Sequence, residues 1–157
     1  MRTAGLVTVL TAALLSTTPE PAAQTPAAKP PTPVSAAPRA VGTMSELMVH
    51  VLRPASDAVF YIASRTPATE AEWGVLQAQT LMLAESANLL MLPDRARGRA
   101  QWLADAHLLL EAGRKAFAAA KAKDVPALEA LNDEMYQACV RCHEHFRPGY
   151  GKRPGAH

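Results

Sequence analysis

Five consecutive residues near the C-terminal end, Cys139-Val140-Arg141-Cys142-His143, hold the most distinctive chemistry in this chain, including both of its cysteines. Two thiols three positions apart followed at once by an imidazole form the attachment pattern of a c-type haem. The sulfurs can add to the two vinyl groups of the porphyrin while the histidine ligates the iron. One such pattern implies one covalent haem c per chain. Three other chemistries compete for the same residues. A zinc site drawing on Cys139, Cys142, His143 and His145 would ordinarily need a second ligand pair from a distant segment, and the remaining histidines are single. A thioredoxin-like dithiol belongs in a β-α-β setting, for which no strand pattern is evident. A plain structural disulfide is the third.

The elements that must position these groups are helical in pattern. The chain has 157 residues, enough for one domain, with 49% hydrophobic but only 5% aromatic residues. Alanine and leucine dominate, a composition that suits packed helices rather than a β-sandwich. A formal charge of +2 without a long basic run gives no footing for nucleic acid.

At the N-terminus, Arg2 precedes an apolar run over residues 4–15 and then small and turn residues, the plan of a secretory signal peptide. Cleavage is expected after Ala22-Ala23, giving a leader over 1–23. Its apolar core is too short for a spanning helix, which needs about 20 residues. No cysteine follows to take a lipid, so no stable membrane insertion is expected once the leader is removed. Residues 24–42 are rich in proline and alanine and lack the large apolar side chains needed to fold, so they read as a linker. The helical domain is expected over 43–150, with a flexible tail over 151–157.

Four helical segments are predicted within that domain. Over 43–64, Met44, Met48, Val51, Ala55, Val59 and Ile62 recur every three or four residues, with Pro54 expected to kink or divide the helix. After Pro67, Thr69 and Glu72 have capping-box spacing; Trp73, Leu76, Thr80, Leu83, Ala87 and Leu90 follow on one face, and Pro93 is expected to stop the helix. Val75, Met82 and Leu89 widen that face, which implies either deeper burial or a homodimer contact. Over 98–123 the inner face carries Trp102, Ala106, Leu109, Gly113, Ala116 and Ala120, small residues that allow close approach of another helix. His107 flanks this face and is expected to be partly buried. The last segment starts at Asp124, an N-cap with Pro126 in its first turn, and carries Leu128, Leu131, Met135, Cys139, Cys142 and Phe146 as its stripe. Four helices with short connections favour an all-α, antiparallel four-helix bundle. The inward thiols place haem inside it near one end.

The Cys-x-x-Cys-His-x-x-Phe-Arg sequence from Cys139 to Arg147, on the last helix of four behind an export signal, resembles the cytochrome c′ family and its Met-ligated low-spin relatives. The likeness extends to the Pro54-x-x-Asp57 step and to Ala-Glu-Ser-Ala-Asn-Leu-Leu at 84–90. The resemblance implies an exported, periplasmic protein in a four-helix bundle, the architecture known for that family, and a distal residue supplied by the first helix. It favours Met48 as the sixth ligand, six residues before Pro54, with Met44 one turn away as the alternative. His50 projects to a different face. Arg147 is implied as a partner of a haem propionate. A thioether ligand raises the reduction potential and suits a one-electron carrier rather than an enzyme. The alternative is a five-coordinate protein binding nitric oxide or carbon monoxide. Arg141, His145, Lys152 and Arg153 make the same end positive, which would steer acidic redox partner proteins.

Overall fold

Thr43 opens the first helical run with a closed capping box. Its hydroxyl accepts from the Glu46 N–H at 3.2 Å, and the Glu46 carboxylate accepts from the Thr43 N–H at 2.8 Å. From there α1 (Met44–Leu47) leads into a π turn (Met48–Leu52) and α2 (Arg53–Phe60), with a 3-10 turn (Ile62–Ser64) at the end. The π turn accommodates the proline. Pro54 has no N–H to offer the His50 carbonyl, and the helix widens just ahead of it so that the Arg53 N–H reaches back five residues to the Met48 oxygen. Where the sequence predicts a kink or a break, the chain inserts one wide turn.

The second capping box forms as the sequence predicts. Glu72 accepts from the Ala68 and Thr69 N–H groups at 2.7 and 2.9 Å, and the Thr69 hydroxyl accepts from the Glu72 N–H at 3.2 Å. This opens α3 (Glu70–Leu90), whose predicted stripe from Trp73 to Leu90 is buried throughout. Val75, Met82 and Leu89 are 59%, 52% and 40% exposed, so the wider apolar strip adds nothing to the core. Pro93 does not end α3, whose last residue, Leu90, stands three positions earlier; it opens the short α4 (Pro93–Ala96), where its missing N–H is no loss. The C-terminal carbonyls of α3 are satisfied from outside: Arg95 donates to the Leu89 oxygen at 2.9 Å and the Trp102 indole to the Leu90 oxygen at 2.7 Å.

Next comes α5 (Ala100–Ala122), ended by Lys123 in the left-handed region at φ 55°. Its predicted inner face is buried. His107, by contrast, is exposed, which corrects the expectation of partial burial: it lies one position beyond Ala106, on the solvent side of the stripe. Asp124 caps α6 (Val125–Ala130) by accepting from the Ala127 N–H at 3.0 Å. The last predicted helix is divided at Leu131, and α7 (Asn132–Phe146) carries the cysteines.

The structure, a computed structural model, describes residues 38–96, 98–147 and 149–151. The expected signal peptide, residues 24–37 of the expected linker and the tail beyond Gly151 lie outside them. Among the described residues every regular element is helical and no strand occurs. They belong to one compact unit in which α3 packs along α5, α5 along α7, and α2 and the π turn against α3. The end of the Pro/Ala-rich stretch lies against this unit: Arg95 donates to the Gly42 carbonyl at 3.1 Å, and the Ala40 N–H donates to Asp94 at 3.4 Å.

Candidate functional site

A cavity of about 410 Å³ opens between the π turn and α7, walled by α3 and α5. From α7 it is lined by Ala138, Cys139, Cys142, His143 and Arg147; facing them stand Met48, Val49, Leu52, Arg53 and Ser56. The wide turn contributes to this lining. Positions 48, 49, 52, 53 and 56 recur at four-to-five-residue steps, the spacing that keeps successive side chains of a widened helix on one side. Leu83 and Leu90 of α3 and Ala106 and Leu109 of α5 complete the apolar walls. A second recess of about 320 Å³ shares Met48, Val49, Cys142, His143 and Arg147 and adds Met44, Trp102 and Phe146. Met48 and Met44 both line the second recess with His143, and of the two only Met48 also lines the first.

Both cysteines are free thiols and half-buried. Burial pushes the Cys139 thiol up from its ordinary range. That of Cys142 is pushed up to about 11, first by burial, then by the negative charge of Asp105 and by Cys139, with Arg99 opposing. A reactive dithiol or a thiolate metal site needs the opposite environment, one that lowers thiol pKa. His143 is held below its usual range by burial and by the neighbouring Arg147 cation, so its ring is neutral and able to ligate a metal. The Tyr150 ring meets it edge-on at 4.9 Å. His145 does not join the cysteines. Its Nδ1 lies 2.7 Å from Asp105 Oδ2, and among the described residues no three His, Cys, Asp or Glu side chains converge as a metal site. The zinc reading therefore loses the geometry it requires.

Two charged lining residues escaped the sequence reading. Arg53, exposed at the rim across from Arg147, gives the cavity mouth a second guanidinium. Asp105 is 2% exposed, with Oδ1 accepting from Gln101 at 2.9 Å and Oδ2 engaged by His145. A signal for Asp105 was present, since it stands three residues after Trp102 and four before Leu109 on the inner stripe of α5. Comparison of the chain with family models, with curated proteins and with solved structures gives no match.

Proposed function

We propose that this chain is an exported c-type cytochrome, working as a one-electron carrier with one haem held covalently by Cys139 and Cys142. The observation that carries the reading is the lining of a single apolar cavity by both thiols, a neutral His143 and, opposite, the thioether of Met48. The donor set suits a flat, apolar, vinyl-bearing ligand. Two protonated thiols one helical turn apart face into the space, its walls are leucine and alanine, and cations stand at its mouth. Haem supplies a one-electron couple at its iron.

The chain's own residues do the rest. Cys139 and Cys142, both free thiols, would each add sulfur and hydrogen across one vinyl group, an addition with no leaving group. His143 from α7 and Met48 from the π turn would hold the iron, and a soft thioether there would favour the reduced state and raise the potential. Leu52, Leu83, Leu90 and Leu109 would keep water from the iron, while Arg147 and Arg53 could take the propionates as charge-assisted pairs. In this reading the helical runs ending with α2, α3, α5 and α6–α7 are the four arms of an antiparallel bundle of the cytochrome c′ type, and the carrier works in the periplasm. Arg141 and Arg147 are exposed around the motif and would meet an acidic redox partner.

The test is the optical spectrum of protein matured in a haem-attaching host, ferric and ferrous, with and without carbon monoxide. A low-spin spectrum that the gas leaves unchanged, converted by Met48→Ala into one that binds carbon monoxide stoichiometrically, is the expected result. A wild-type spectrum that is high-spin and shifts with the gas would replace the carrier with the five-coordinate gas-binding reading.

A further inference from the structure

A carboxylate that is almost wholly removed from water, yet lines the cavity of the proposed redox centre, needs a reason to be charged. Burying an anion is costly unless it is paired and hydrogen-bonded, and an amide or an apolar residue would fill the same place without that cost. Asp105 meets the condition through Gln101 at 2.9 Å on one oxygen and His145 at 2.7 Å on the other. These partners come from α5 itself and from α7, the helix that carries Cys142 and His143.

We propose that Asp105 sets the reduction potential of the redox centre: its buried carboxylate, fixed by Gln101 and His145 beside the cavity, stabilises the oxidised iron and holds the midpoint down. The inference rests on the haem reading above. The oxidised iron carries one more positive charge than the reduced, so a nearby anion favours oxidation, and more so in a poorly polarisable interior than in water. The other charged groups lining the cavity are Arg53 and Arg147, both exposed, whose fields are weakened by solvent and salt. His145, whose Nδ1 meets the other carboxylate oxygen, has a side chain 45% exposed, so water reaches it as it does not reach Asp105. Asp105 also acts on Cys142 of the motif, adding to the upward push that burial gives its thiol, with the Arg99 cation opposing. Asp105 thus opposes Met48, the ligand that draws the potential upward.

The experiment is a spectroelectrochemical titration of the matured, full-length haem protein against its Asp105→Asn variant, which keeps the shape and one acceptor oxygen. The expected result is a midpoint raised by about 59 mV, a tenfold change in the ferric-to-ferrous ratio at fixed potential, with an unaltered ligation spectrum. Gln101→Lys, at an exposed position, brings an ammonium to the same carboxylate and is expected to raise the midpoint too. If Asp105→Asn does not mature, Gln101→Lys decides the matter alone. A midpoint unchanged or lowered in the variant measured, with covalent haem present, overturns the role of Asp105 and leaves the carrier reading standing. Wild-type protein matured without covalent haem overturns both.

Discussion

Where α3 passes α5, Gly113 lies so close to Ala84 that a β-carbon on the glycine would meet its backbone N and Cα at 2.8 Å. A short way along the same two helices, Leu83, Leu90, Ala106 and Leu109 face about 410 Å³ of open volume. Both regions are built of small and aliphatic side chains, and composition does not separate them. What differs is the partner opposite. In the seam a helix backbone fills the space. At the cavity the chain turns through a widened helix on one side and presents thiols and an imidazole on the other. Tight packing at the seam secures α5, and α5 in turn positions α7 with its motif.

The largest effect is expected from emptying the cavity of its attachment chemistry. Replacing Cys139 and Cys142 by serine abolishes covalent haem completely, read as the loss of haem-linked peroxidase staining on a denaturing gel, while circular dichroism still reports a helical chain. Retained covalent haem would sink the attachment scheme.

Next comes the seam itself. Gly113→Ala forces backbone against backbone and costs roughly 1–3 kcal/mol by overpacking. Ala106→Val, two turns away on the same helix face and lining the cavity, costs the haem-free chain only the helix-propensity difference of roughly 0.5 kcal/mol. Urea unfolding of the two variants measures the contrast directly, and equal costs would erase it.

The smallest effect lies at the end of α3 remote from the motif. Glu72 is held below the usual carboxylate range by the Ala68 and Thr69 amides and the Thr69 hydroxyl. A carboxyl whose pKa is lower folded than unfolded contributes stability above about pH 4.5, and that contribution is lost as pH falls through the folded value. Glu72→Gln can keep the cap but cannot titrate. Its melting temperature is therefore expected to fall less than that of the wild type between pH 6 and pH 3; parallel curves would remove Glu72 from the acid sensitivity.

Much of this was legible in the residues. The buried faces of α3 and α5 follow from the recurrence of Trp73 to Leu90 and of Trp102 to Ala120, because burial on a helix repeats with its turn. The Thr69–Glu72 cap and the Asp124 cap were readable because they are made by neighbours in sequence. The π turn was not. A proline announces that a carbonyl loses its donor, but whether the helix bends, breaks or widens depends on what packs against it. His107 was misjudged for a related reason: a residue at the edge of a stripe is buried only if a neighbour reaches that far. Asp105 stood on the inner stripe and could have been read as buried, but its pairing with His145, forty residues away, could not.

By itself the sequence determined the helical class, the order of the helices and the one segment that carries both cysteines with a histidine beside them. All of these rest on residue type, turn periodicity and spacing within a few positions. Only the tertiary structure decided that Met48, rather than Met44, lines both recesses beside His143, that Arg53 joins Arg147 at the rim, and that a buried carboxylate stands by the motif. These depend on how separate helices come together, a sum over many weak contacts that local spacing does not encode.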